Sequence, residues 1–288
     1  MRWSLRWIQI LLAASCTFAC VSVRAGEVLL ESFRSQILNR DYKYAVYLPD
    51  GYDKDKRRYP VLYLLHGTGA DENAWLQKGG LRETMDALQA RRLIHPMIVV
   101  MPGDTHGDWV DGMREKSETA LLKEVMPHAE SKYSIDGQRA NRLVAGLSAG
   151  GRGALNLVMA GPSMFAAAAI QSPAIYDPVP PSNSSAMRHP QFQVDGRFDA
   201  ETWRRLNYTS RLDSYLKSGL IVPLYITSGD HDRFGIALQS AMLYERLRLH
   251  QPKDIELRII DGDHEWAVWR DTLADALQFM SSRIAGPR

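Results

Sequence analysis

Cysteine is nearly missing from this chain: of 288 residues only Cys16 and Cys20 carry a thiol, and both fall in the first 25 positions. That opening stretch, MRWSLRWIQILLAASCTFACVSVRAGEV, has arginines at Arg2 and Arg6, an apolar run from about Trp7 to Ala14, and small residues before Ala25. It reads as a secretory signal peptide, residues 1–25, cleaved after Ala25. Its apolar run is well short of the roughly 20 residues needed to span a bilayer. Lipoprotein processing at Cys16 or Cys20 is a minor alternative; Ala13-Ala14-Ser15 before Cys16 lacks the usual leucine. Once the leader is removed, no thiol, disulfide or cysteine-ligated metal is available, and the body of the protein, residues 26–288, is expected to be exported to the periplasm or the medium.

Net charge is also missing. The chain has 35 basic and 33 acidic side chains; the leader takes Arg2, Arg6 and Arg24 with it and no acid, which leaves 32 against 33. Such a balance gives no electrostatic reason to expect nucleic acid as a partner. No later apolar run is long enough to cross a membrane. There is no glycine-rich phosphate loop ending in Lys-Ser or Lys-Thr, and His264-Glu265 lacks the second histidine of a zinc protease motif. The acidic turns near 230 and 261 lack the ligand spacing of a calcium loop. No cofactor and no metal are expected, and the chain contains no internal repeat.

What is present is a regular alternation. Tyr42 to Leu48 alternates polar and apolar residues and predicts a half-exposed strand. Val61–Leu65, Met97–Met101, Arg142–Leu147, Phe165–Ile170, Val222–Thr227 and Ile255–Ile260 are compact apolar runs suited to strands buried on both faces. Helical patterns lie between them, over Leu81–Arg92, Ser117–Ser131, Gly151–Ala160, Gly235–His250 and Trp266–Ile284. Strand and helix in turn predict an α/β domain with a mostly parallel sheet covered on both sides. One stretch breaks the rhythm: residues 171–218, rich in Pro, Ser and Asn, with a short helical piece around Ala200–Leu206. It reads as an excursion over the sheet edge, too short for a core of its own.

The sequence GLSAG at 146–150 ends a strand-like run and opens a helix-like one. A serine at such a turn is held in a strained conformation that lifts its hydroxyl clear of the sheet, and glycines two residues away on each side relieve the crowding. A serine hydroxyl needs a base, and the base needs an acid to orient it. The GLSAG turn resembles that of the α/β-hydrolases, and the resemblance implies that acid and base lie on loops at the carboxyl ends of strands, in the chain order serine, acid, histidine. Ser228-Gly229-Asp230-His231-Asp232 follows one strand, and Asp261-Gly262-Asp263-His264-Glu265 follows the last. His264 is therefore the candidate base for Ser148, with Asp230 or Asp232 as the acid and the other shaping the turn or capping the next helix.

An anion forming at a substrate carbonyl needs donors. The backbone N–H of Ala149 and one from the Leu65-His66-Gly67-Thr68-Gly69 loop, expected at Thr68, fit that role. His66 is read as organising this loop, not as a second base. Trp109, Met113, Tyr176 and Trp203 fall in segments able to overhang the site, where aromatic side chains suit a sugar or an aryl acid; core packing accounts for them equally well.

Together YLLHGTGADENAW, GLSAGG, TSGDHDRFG and GDHEWAVW resemble the putative-esterase family of α/β-hydrolases, which includes esterase D (S-formylglutathione hydrolase), feruloyl and acetyl-xylan esterases and mycolyltransferases. The resemblance spans roughly Tyr42 to the C-terminus. It implies an α/β-hydrolase fold, places the acid at Asp232 instead of Asp230, and matches Gly262-Asp263-His264 with Trp269 to the G-x-H-x-x-x-x-W pattern of the feruloyl branch, so that Trp269 joins Trp109 and Tyr176 as a candidate substrate-binding residue. The activity implied is that of an exported serine esterase on acyl groups of carbohydrate or small-alcohol esters. Acyl transfer to a sugar hydroxyl uses the same triad. A glutathione thioesterase is disfavoured by the leader, and a silent scaffold by the completeness of the set.

Overall fold

The computed structural model describes residues 25–54, 56–104 and 106–288. Residues 1–24, which hold nearly all of the expected signal peptide and both cysteines, lie outside them. The strands are β1 (Glu27–Ser35), β2 (Arg40–Leu48), β3 (Val61–Leu65), β4 (Ile98–Pro102), β5 (Arg142–Leu147), β6 (Ala167–Gln171), β7 (Gln193–Val194), β8 (Arg197–Phe198), β9 (Leu224–Gly229) and β10 (Ile255–Ile260). Eight of them form one sheet in the order β1-β2-β4-β3-β5-β6-β9-β10, while β7 and β8 make a separate hairpin. Every pairing from β4 to β10 is parallel, and β2 alone runs antiparallel to both neighbours.

Side chains alternate across this sheet and feed two cores. Val61, Tyr63 and Leu65 of β3 point into one, with the helix Ala149–Ala160 packed over it. Leu62 and Leu64 point into the other, covered by the helices Leu81–Ala90 and Trp266–Ser281. This is the α/β-hydrolase arrangement, and among the described residues no helix is long and apolar enough to cross a membrane.

Two burial expectations are corrected. From Tyr44 to Leu48, β2 is buried on both faces, because its far face is covered too; the Tyr47 hydroxyl reaches Asp86 of the helix Leu81–Ala90 at 2.7 Å. Conversely β10 is largely uncovered, since it is the sheet's lateral strand. The excursion also differs from its reading. It leaves β6 and returns at β9, two neighbouring interior strands, and on the way Tyr176, Ser184 and Ser185 come to line a cavity with Ser148. It carries a second helix, Thr209–Ser218, and contributes a small core in which Phe192, Trp203 and Leu206 pack with Val110, Tyr176 and Ile236.

Candidate active site

Strand β5 ends at Leu147, and the chain turns into a helix at Ala149 with no connecting loop. Ser148 makes that turn in a disfavoured backbone conformation, φ 54° and ψ −118°, a strain that surrounding structure must hold. Its N–H donates to the carbonyl of Gln171 on β6 at 2.9 Å. The flanking glycines are required sterically. A Cβ on Gly146 would lie 2.5 Å from the carbonyl of Gly150, and one on Gly150 would lie 2.5 Å from the carbonyl oxygens of Leu65 and His66. Backbone offers no compliant neighbour, so Gly150→Ala is expected to destabilise the fold by about 1–3 kcal/mol. A lowered urea midpoint at unchanged slope is the readout; an unchanged midpoint would show that the turn has room to spare.

Histidine and acid converge on this serine. His264 Nε2 lies 2.9 Å from Ser148 Oγ, and His264 Nδ1 lies 2.8 Å from Asp232 Oδ2. With Nδ1–H donating to the carboxylate, Nε2 is left to accept the serine proton. The Asp232 side chain is fully buried, and its other oxygen accepts the N–H of Phe234 at 3.0 Å. The imidazole is gripped edge-on by Phe234 and Trp269, each with ring centroids 5.0 Å away.

Asp230 neither closes the turn, which Asp232 does through the Phe234 N–H, nor caps the next helix. Half exposed, it pairs with His231 at 2.7 Å and accepts the N–H of Gly262 at 3.1 Å, so it ties the acid-bearing loop to the histidine-bearing one. Asp263 strengthens the same seam: its carboxylate accepts the N–H groups of Arg233 at 2.9 Å and His264 at 2.6 Å and pairs with the Arg233 guanidinium. Those hydrogen bonds hold its pKa down to about 2.

The loop after β3 packs against the serine, where a Cβ on Gly67 would come within 3.3 Å of the Ser148 Cβ. Its carbonyls are anchored by two indoles, Trp75 Nε1 to Leu65 at 3.2 Å and Trp109 Nε1 to His66 at 2.8 Å. His66 is buried with its Nδ1–H donating to the carbonyl of Gly67 at 2.8 Å; burial pushes its pKa below the ordinary value, which keeps the ring neutral and fits a loop-organising role. Thr68 borders a cavity of about 300 Å³ in front of Ser148 and His264, and Tyr176, Phe234, Trp266 and Trp269 also line it. Ala149 is buried at the helix N-terminus directly behind the serine.

Trp109 is a correction: it is buried beneath the loop, not among the cavity-lining residues. Trp203 likewise stands behind the wall, donating to the carbonyl of Tyr176 at 3.0 Å, and Met113 is an exposed residue away from the cavity. Tyr176 and Trp269 do reach it.

A family profile described as "Putative esterase" matches residues 35–280. The chain belongs to that esterase family. Its resemblance to individual members is moderate. The endo-1,4-beta-xylanase/feruloyl esterase of Xylanibacter ruminicola is 31% identical over 176 residues, covering 58% of this chain and 24% of that protein. An esterase of Mycobacterium tuberculosis is 35% identical over 136 residues, covering 44% of this chain and 28% of its own. The chain thus spans about a quarter of the length of these curated relatives. Among solved structures a ferulic acid esterase aligns with a TM-score of 0.77 at 27% identity, over 90% of this chain and 98% of that one. An S-formylglutathione hydrolase from Agrobacterium tumefaciens aligns with a TM-score of 0.70 at 20% identity, over 91% of this chain and 96% of that one, which is a likeness of fold.

Within this esterase fold, three residues near the site have no reading in the sequence: Asp108, Arg152 and Gln191. An arginine inside an amphipathic helical pattern reads as a solvated charge, and no local signal shows that Arg152 is buried against an acid from another loop. Asp263 sits beside His264 and was legible as a turn residue, though not as the partner of Arg233.

Proposed function

We propose that this protein is an exported serine carboxylic ester hydrolase working through an acyl-enzyme, with Ser148 as nucleophile, His264 as general base and acid, and Asp232 as the group that orients the imidazole. The observation that carries the reading is the unbroken line from Ser148 Oγ through His264 to the buried Asp232 carboxylate, 2.9 and 2.8 Å long, bordering the cavity that Ser148 and His264 help to line.

In the first half-reaction Ser148 Oγ attacks the ester carbonyl while its proton passes to His264 Nε2. Asp232 stabilises the imidazolium through Nδ1–H. The N–H groups of Ala149 and Thr68 receive the oxyanion; losing one such donor costs about 3 kcal/mol in comparable sites. His264 then protonates the departing alcohol. Water, activated by the same imidazole, cleaves the acyl-enzyme and restores Ser148.

The proposed substrates are acyl esters of carbohydrate or small alcohols. Support comes from a cavity that combines aromatic faces, Tyr176, Phe234 and Trp269, with the hydroxyls of Ser184 and Ser185, and from relatives whose names include feruloyl esterase. Residues 1–25 are proposed as the export signal and 26–288 as the esterase domain. A panel of p-nitrophenyl acetate, p-nitrophenyl butyrate and methyl ferulate tests the assignment. Turnover of at least one ester, blocked by a fluorophosphonate probe that labels Ser148, is the expected result. A purified, folded protein that neither turns over the panel nor takes the label would sink it.

A further inference from the structure

We infer that Asp108 and Arg152 are positioning residues that set the oxyanion loop against the nucleophile, an inference that rests on the ester-hydrolase reading above. The Thr68 hydroxyl donates to Asp108 Oδ1 at 2.6 Å. The opposite oxygen of the same carboxylate receives Arg152 Nη2 at 2.5 Å, and that nitrogen also donates to the Asp108 carbonyl at 2.8 Å. The Arg152 backbone N–H in turn donates to the carbonyl of Ser148 at 3.0 Å. One carboxylate therefore joins the two segments that supply the oxyanion donors, the loop bearing Thr68 and the helix opened by Ala149.

The pair is built in, not incidental. Its side chains are 1% and 2% exposed, and a buried ion pair persists only with close geometry and further partners. Asp108 and Trp109 are consecutive non-glycine residues in the left-handed region, φ 53° and 63°. That strained turn is held by Asp104, whose carboxylate accepts the N–H groups of Gly107 at 3.1 Å and Trp109 at 3.0 Å. Among the described residues Arg152 Nε and Nη1 have no hydrogen-bond partner; the guanidinium instead faces the rings of Phe192 and Trp203, with Cζ 4.7 and 5.0 Å from their centroids. Both rings belong to the 171–218 excursion. The same excursion supplies Gln191, whose Nε2 donates to the carbonyls of Gly107 at 2.9 Å and Val110 at 3.1 Å and whose Oε1 accepts the N–H of Arg114 at 2.7 Å.

The arrangement has an electrostatic logic as well. A carboxylate beside a developing oxyanion opposes it unless a cation neutralises the acid, and Arg152 does so from the side away from Thr68. Donors aimed in advance are what accelerate acyl transfer, and a misplacement of about 1 Å costs on the order of 100-fold in rate.

The test is kinetic. Thr68→Val removes the hydroxyl at nearly constant volume. It is expected to lower kcat by about 10- to 100-fold with KM within about two-fold, and to weaken a trifluoromethyl ketone, which forms a tetrahedral oxyanion on the serine, by the same factor. Thr68→Ser keeps the hydroxyl and should recover most of the loss. Asp108→Asn should show the same split between kcat and KM, with melting temperature recorded for every variant. If Thr68→Val keeps wild-type kcat and ketone affinity, or if kcat and melting temperature fall while ketone affinity holds, the positioning role is overturned. The wild type is labelled with fluorophosphonate in parallel: an unlabelled, inactive wild type removes the esterase reading and this inference with it, whereas an active wild type beside a normal Thr68→Val overturns this inference alone.

Discussion

Ser148→Ala is expected to lose essentially all turnover of the ester panel, a fall in kcat of about 10⁵-fold or more, leaving only what cavity binding and oxyanion donors supply. The magnitude follows from the chemistry of the proposed cycle. Without Oγ no acyl-enzyme forms, and water must attack a carbonyl with no nucleophile held at near-attack distance. The substitution removes only the hydroxyl oxygen, so stability should change little, and relief of the strained backbone at φ 54° is not available because alanine carries the same Cβ. Initial rates at enzyme concentrations high enough to see a residual 10⁻⁵ fraction, with mass spectrometry to exclude wild-type contamination, decide the matter. Equal hydrolysis by wild type and variant would mean that the chemistry lies elsewhere.

The second large effect separates the two aspartates of one turn. Asp232→Asn should lower kcat by about 10³- to 10⁴-fold, because an amide can donate to Nδ1 and so stabilise the tautomer that cannot accept the serine proton. It would also leave the imidazolium without its buried countercharge. Asp230→Asn removes a half-exposed partner of His231 and keeps an oxygen to accept the N–H of Gly262, so its kcat should stay within about three-fold of wild type. Measuring both variants side by side under the same conditions makes the contrast internal. A reversed order of losses would move the acid to Asp230 and contradict the burial of Asp232.

Much of this site could be read in the chain because its chemistry demands particular residue types at strand ends. GLSAG follows a compact apolar run suited to an interior strand, and His264, two residues past Gly262, is singled out among the histidines by its place on the last strand's loop. The acid was less legible. Asp230 and Asp232 offer the same carboxylate in the same turn, and only family resemblance favoured the second; what separates them physically is that one side chain is driven under Phe234 while the other faces water. The aromatics failed for a related reason. Trp109 and Trp203 are as hydrophobic as any cavity residue, and sequence gives no sign of which wall they back. In the sheet, the alternation of Tyr42 to Leu48 suggested an open face, yet coverage is decided by neighbours far along the chain. The excursion reads as too short for a core of its own, and it completes one by borrowing Val110 and Ile236 from elsewhere.

The grip of Gln191 and of the two rings over Arg152 has a consequence for how a substrate enters. A flap hinged at 171 and 218 would have to break hydrogen bonds at 107, 110 and 114 and unstack a buried cation each time it swung. A swing of the whole excursion about those two points therefore carries the cost of all of these contacts at once, and the wall bearing Tyr176, Ser184 and Ser185 is braced before any ligand arrives.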